Sequence, residues 1–257
     1  TLMRSSAASD VYKRQNLHML SNAKAVMMEE VKGAAAAFNF ETGFMDNRFV
    51  VGRKGGGPVF LTVHGVSAHS GNAPEKGRSA VLEAAHKVVA LEAYNDIPRG
   101  RLINCGKVAG GIGENTIPEL CTVNIGVRFP STEVKKEILA ALEQAASHST
   151  VPDTYAELDT SRLMECMDTT DGVMALFRHI QRTAVRCGMD EPGCFQVGGL
   201  SDSGITVACG IPTVCAMGVR GEGNHTPTEY AEVKSLFERC ILAACAAGSL
   251  EDDFTEQ

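Results

Sequence analysis

The chain has 257 residues, enough for one large domain or two modest ones. Its 24 Lys and Arg against 31 Asp and Glu give a net charge of −7 with no basic cluster, which argues against nucleic acid or an anionic membrane as partner. No apolar run reaches membrane-spanning length, and nine scattered cysteines without a C-x-x-C pair fit the reduced thiols of a cytoplasmic protein better than a disulfide frame or a structural zinc site.

In chain order, Ser5–Gln15 reads SSAASDVYKRQ and resembles the conceptual translation of a sequencing-library adapter. Residues 1–15 are therefore set apart as non-native, and the fold is expected to begin near Asn16, with the true N-terminus absent and a leader left open. Leu20, Ala23, Val26, Met27 and Val31 recur at helical spacing and predict a helix over 16–33. Ala34–Phe40 follows as a short apolar strand that ends at Glu41. A carboxylate at the C-terminal edge of a sheet stands where open α/β folds bind ligands; by residue type alone, a strand-end surface charge is the commoner reading of Glu41.

Pro58–Val66 alternates as a strand, with Val59, Leu61 and Val63 on one face. Gly77–Asn95 reads as a helix whose apolar residues are Val81, Leu82, Ala85, Val88, Val89 and Leu91. Arg101–Ala109 and Glu119–Phe129 are strands; the second turns Cys121, Val123, Ile125, Val127 and Phe129 one way and Thr122, Asn124 and Arg128 the other. Ser131–His148 is a helix striped by Val134, Ile138, Leu142 and Ala145, and Thr154–Leu158 is a last short strand. The order β-α-β-β-α-β predicts a ferredoxin-like block, with both helices on one face of the sheet and a polar, free opposite face. Arg128 lies on that polar face, where its guanidinium fork suits a substrate carboxylate or is simply solvated. Asn115, between Gly113 and Pro118, is equally ordinary turn chemistry.

Beyond this block come a helix over 172–187, a strand over 195–197, the pair Gly198-Gly199 and a helix-like segment over 201–209. An apolar strand, Ile211–Met217, leads into a glycine-rich loop, Gly218–Gly223, that delivers His225. A histidine on such a loop can approach a metal closely, or can be a surface residue in a turn. Residues 231–249 form a closing amphipathic helix and 251–257 a polar tail. His64 is read as a strand residue, and His86, His148 and His179 as helix-face residues. The run Gly110–Gly113 lacks the Lys-Ser/Thr of a phosphate loop.

Gly198-Gly199-Leu200-Ser201-Asp202, Gly210-Ile211-Pro212-Thr213, His225-Thr226 and Glu229 stand in one order. In that order they resemble the C-terminal metal-binding segment of the dinuclear zinc exopeptidases, the family of glutamate carboxypeptidases, aminoacylases, succinyl-diaminopimelate desuccinylases and peptidase-T-like enzymes. Gly65-Val66-Ser67-Ala68-His69-Ser70-Gly71, with Pro74 and Gly77-Arg78-Ser79-Ala80, is similar to the family's lid loop, and Gly113–Pro118 to its G-x-x-x-N-x-I-P segment. The resemblance implies an α/β fold: a partial catalytic domain (16–52 and 164–257) with an inserted ferredoxin-like lid and dimerisation domain (53–163). It implies Glu41 and His225 as zinc ligands, one for each of two zincs, with cobalt or manganese able to substitute. It implies His69 as an electrophilic residue reaching the partner subunit's active site, and Asn115, Arg128, Gly198 and Gly199 as substrate-binding.

The function implied is metal-dependent hydrolysis of amide bonds in peptides or N-acyl amino acids by a homodimer. The family's H-x-D segment, bridging Asp and Glu-Glu pair have no counterpart here. The chain is accordingly expected to be a C-terminal fragment, inactive and a poor zinc binder by itself. The alternative is a non-catalytic dimerising or ligand-binding module built on the ferredoxin-like block.

Overall fold

The computed structural model describes residues 2–4 and 22–253. The adapter-like Ser5–Gln15, residues 16–21 of the expected first helix and residues 254–257 of the tail lie outside the described residues. The chain divides into two compact units, Lys54–Met164 and the combination of Thr1–Arg53 with Glu165–Gln257.

The discontinuous unit opens with β1 (Leu2–Arg4), α1 (Ala23–Glu30), β2 (Ala37–Phe38) and β3 (Phe49–Arg53). The strand expected over 34–40 narrows to β2. Upstream of it, Ala34 N–H turns back to Val31 O as the chain leaves α1.

The continuous unit holds β4 (Gly55–His64), β5 (Ala68–His69), a single 3-10 turn at Pro74–Lys76, α2 (Ala80–Glu92), β6 (Leu102–Gly110), β7 (Thr116–Ile117), β8 (Leu120–Phe129), α3 (Thr132–Ser147) and β9 (Tyr155–Asp159). Four strands form one antiparallel sheet in the order β6-β8-β4-β9. With β5 and β7 set aside as a small separate pair, this is the split β-α-β topology, in which the first and third long strands sit at the centre. Alternation sets which face is buried. Val59, Leu61 and Val63 of β4 face inward with Cys121, Val123, Ile125, Val127 and Phe129 of β8, all at most 1% exposed. Val134, Ile138 and Leu142 of α3 cover them, each worth roughly 1.5–3 kcal/mol of burial. Both helices start on a serine cap: Ser79 Oγ accepts from Leu82 N–H and Ser131 Oγ from Val134 N–H, at about 1 kcal/mol each.

Helix α2 corrects the sequence reading. Its buried residues are Ala80, Glu83, Ala84, Lys87 and Leu91, whereas Val81, Leu82 and Val89 are exposed. The reason is a buried ion pair that a count of apolar residues overlooks. Lys87 Nζ lies 2.8 Å from Glu83 Oε1 and donates to Ala145 O and His148 O at the end of α3. Glu83 Oε2 accepts from Thr150 N–H and Val151 N–H. The pair therefore satisfies open carbonyls at one helix end and two turn amides. Burial alone pushes the Glu83 carboxyl up; Lys87 and the Val151 and Thr150 amides outweigh it and hold it below the usual carboxylate range.

In the discontinuous unit the chain resumes with α4 (Asp171–Arg186), β10 (Cys194–Val197), α5 (Ser203–Ala208), β11 (Thr213–Val214), β12 (Gly221–Glu222), β13 (Tyr230–Glu232), α6 (Val233–Gly248) and α7 (Leu250–Asp253). Strand β10 runs parallel to β3, and β11 parallel to β2. The core gathers Phe49 and Val50 from β3, Val173, Leu176 and Ile180 from α4, Val214–Met217, and Leu242 and Ala246 from α6. The apolar run Ile211–Met217 is regular strand only at β11, because Ala216 takes a left-handed φ of 62° that breaks the ladder. The glycine-rich loop is partly ordered: β12 and β13 form a hairpin, with Leu2–Arg4 paired on the other side of β13. His179 is fully buried, its Nε2 2.8 Å from Ala246 O. None of the nine cysteines is in a disulfide. Among the described residues no helix is long and apolar enough to cross a membrane.

Candidate functional site

In the discontinuous unit, Glu41 follows β2 and Arg53 ends β3. Arg53 Nη2 donates to Glu41 Oε2 at 2.8 Å. The same guanidinium donates through Nη1 to Gly199 O and through Nε to Cys215 Sγ, both at 3.3 Å. Arg53 thus gathers three segments that the sequence links only by motif: Glu41, the Gly198-Gly199 turn and the strand after Pro212. Its side chain is only 9% exposed, against 40% for that of Glu41. Arg53 does not stand out from the sequence. The signal is the same as for Glu41, a charged residue closing a buried strand. Beside Gly199 the buried Ser201 hydroxyl lies 3.1 Å from Ser203 Oγ and accepts from Ser203 N–H, fixing the start of α5. Gly198 has nothing within 4 Å of where a Cβ would stand, and its place in the motif has no packing reason here.

His225 sits between β12 and β13 with a left-handed φ of 65°, uncommon for a residue with a Cβ. Thr226 holds the turn, its N–H and its hydroxyl both donating to Gly223 O. The structure does not assemble His225 and Glu41 into a metal centre. Among the described residues no three His, Cys, Asp or Glu side chains come together as a group able to hold a metal ion, and the Glu41 carboxylate is occupied by Arg53. The zinc implied by the sequence resemblance therefore does not fit the described residues taken alone, since a zinc site takes three or four protein ligands.

In the continuous unit, His69 and Asn115 are brought together. Strands β5 and β7 pair with His69 opposite Thr116, and Ser70 N–H donates to Asn115 O at 2.9 Å. Two glycines make the loop possible. A Cβ on Gly65 would stand 2.0 Å from Arg78 O, and one on Gly77 would stand 2.4 Å from Ile117 Cδ1. His69 Nδ1 accepts from Gly71 N–H at 3.1 Å and Asn72 N–H at 3.2 Å. With Nδ1 an acceptor, the neutral ring carries its proton on Nε2, an outward donor. Arg128 is not part of this group. It lies near the far end of β8, opposite Gly56 and Leu102, and its Nη1 donates to Val127 O. The eight-residue step from Leu120 to Arg128 places it about 27 Å along the strand from the end that β7 leads into.

Comparison with known proteins returns a dimerisation-domain family model and peptidase and hydrolase relatives. Residues 51–154 match the family model described as the peptidase dimerisation domain. Carboxypeptidase G2 of Pseudomonas sp. (strain RS-16) is 25% identical over 225 residues, covering 85% of this chain and 53% of that protein. An indole-3-acetyl-aspartic acid hydrolase of Enterobacter agglomerans is 32% identical over 75 residues, 29% of this chain and 17% of its own. Among solved structures, aminopeptidase PepT from Bacillus cereus superposes with a TM-score of 0.63 at 24% identity, over 85% of this chain and 58% of its own. A tripeptidase from Staphylococcus aureus gives 0.59 at 23% identity, over 84% of this chain and 57% of its own. The resemblance read from the motifs is borne out in the fold, which is shared with aminopeptidase PepT and the tripeptidase, and in the dimerisation-domain match over residues 51–154. The chain spans about half the length of carboxypeptidase G2.

Proposed function

We propose that this chain is part of a homodimeric hydrolase of amide bonds in peptides or N-acyl amino acids, and that it contributes substrate-facing residues. The observation that carries this reading is His69. Its Nδ1 is held by two backbone amides on a short, glycine-dependent loop, which leaves Nε2–H free to donate to a carbonyl oxygen. Such a donor stabilises the charge that grows on that oxygen as the amide is attacked. Asn115, beside it, supplies a side-chain amide for a second contact. Arg128 offers its fork to a carboxylate.

Glu41 and His225 are the chain's contributions to a metal site, for zinc or for cobalt or manganese in its place. The ion pair with Arg53 supports a second reading for the chain on its own: a dimerising module that binds zinc weakly and hydrolyses little. Nine thiols outside any disulfide suit a reducing, cytoplasmic setting.

The test is kinetic. The source gene is sequenced upstream of Asn16, and the product of its full reading frame is assayed on a panel of peptides and N-acyl amino acids. His69→Ala is expected to lower kcat by about 10²–10³ with little change in KM, as for loss of one oxyanion donor. An unchanged kcat in His69→Ala removes the proposed role.

A further inference from the structure

Helices α4 and α6 of the discontinuous unit pack on one another, and their contact is fixed at several points. Leu176 and Ile180 of α4 share the core with Leu242 and Ala246 of α6. The buried His179 reaches Ala246 O through Nε2 at 2.8 Å. At the end of α4, Arg186 Nη2 donates to Ser249 Oγ at 3.3 Å, and that hydroxyl donates to Cys245 O at 2.9 Å. Beside these tethers the Cys187 and Cys245 thiols meet in a hydrogen bond. Cys187 caps α4 and is half-buried, whereas Cys245 stands on α6 and is exposed.

The two thiols come from different helices, and the packing of those helices sets their approach. Sulfur atoms close enough to share a hydrogen are within rotamer reach of the roughly 2 Å of an S–S bond. Their surroundings give them different roles. Burial first, and then the Cys245 thiol, push the Cys187 thiol up from its ordinary value, while Arg186 acts in the opposite sense. Cys187 is the thiol that waits. Cys245 faces solvent and is the one an external reagent reaches first.

We propose that Cys187 and Cys245 form a dithiol modification site that reacts with small-molecule disulfides of the glutathione class and closes to a disulfide joining α4 to α6. The Cys245 thiolate attacks one sulfur of R–S–S–R; a Cys245–S–S–R bond forms, the reagent's S–S bond breaks and RS⁻ leaves. Cys187 then gives up its proton and attacks the Cys245 sulfur, which forms the Cys187–Cys245 bond and releases the second RS⁻. Two protein thiols are oxidised, the small disulfide is reduced to two thiols, and the two protons pass to the leaving thiolates. A reducing thiol pool keeps the pair open, and a rise in small disulfides closes it. The enclosed loop runs through α5, β11 and the β12–β13 hairpin, so the cross-link restricts the unfolded chain over a long segment. The site does not depend on the hydrolase reading above; it uses none of Glu41, His69, Asn115, Arg128 or His225.

The experiment incubates the full chain, reduced and then freed of reductant, with oxidised glutathione. Remaining thiols are blocked with iodoacetamide, and non-reducing peptide mapping by tandem mass spectrometry follows each cysteine. A linked Cys187–Cys245 peptide pair is expected, with neither cysteine alkylated or carrying glutathione. The Tm of the oxidised chain should rise by about 5 °C or more and return on adding dithiothreitol. Cys245→Ser, at an exposed position, should keep the reduced chain's Tm and abolish the rise. Cys187→Ser should trap glutathione on Cys245, the product of the first step. Where Cys187→Ser folds poorly, Cys187→Ala gives the same readout. Glutathione retained on Cys245 in the wild type, alkylation of both thiols, linkage of either to another cysteine, or a Tm gain that survives in Cys245→Ser overturns the proposal.

Discussion

Glu41 and Arg53 close two different strands, and the distance between their charges, 2.8 Å, makes them one unit. Their energies differ because their surroundings differ. The glutamate side chain is 40% exposed and can be rehydrated; the arginine is 9% exposed and also serves Gly199 O and Cys215 Sγ. Arg53→Met is therefore expected to destabilise by about 1–3 kcal/mol, since it strands buried acceptors, while Glu41→Gln costs about 1 kcal/mol or less. Urea unfolding of the two variants checks the order; an equal or reversed effect would show that the guanidinium does not organise these segments. At this scale the sequence singles out a residue that sits inside a motif, as His69 and Asn115 do. Arg53 escapes notice because its partners are 12, 146 and 162 positions away, and no local pattern records such a meeting.

The same limit operates at the scale of an element. Strand β8 is readable residue by residue, since period-two alternation has only two faces to choose between. Helix α2 offers many: Val81, Leu82 and Val89 lie on its exposed side, while Glu83 and Lys87 join Ala80, Ala84 and Leu91 on its core side. The pair supplies a direct test. Lys87→Met leaves a buried carboxylate facing only two amides and is expected to cost about 3–5 kcal/mol, whereas Glu83→Gln combined with Lys87→Met restores most of that loss. The acid limb should follow the same pair. A carboxyl held below its unfolded value stabilises the fold above the unfolded pKa of ~4.3 and loses that contribution as pH falls through the lower, folded value. Wild-type stability should decline more steeply than that of the double variant below about pH 4. Denaturant midpoints across pH measure both effects, and a Lys87→Met variant as stable as the wild type would show that the pair contributes nothing to the fold.

At the scale of the whole molecule, element order carries the topology, since six alternating segments define the split β-α-β sheet before any contact is known. What order cannot give is the use of the surface that α2 leaves open. Leu82 and Val89, 51% and 70% exposed, recur on one side of the helix with the exposed Ala85 between them and Val81 beside them. Helix α2 packs against β6, an edge strand whose Val108 is 49% exposed. The opposite edge, β9, carries Glu157 and Asp159, charges that discourage strand addition. An apolar helix face beside an edge strand whose one charge is Lys107 is a surface that a second copy can cover isologously, in keeping with the dimerisation-domain match over residues 51–154. Leu82→Glu with Val89→Glu should then shift sedimentation from dimer to monomer and leave circular dichroism unchanged, because both side chains already lie outside the core. A wild-type chain that sediments as a monomer at every concentration, or a double variant that still dimerises, would move the interface away from α2 and require another use for its apolar face.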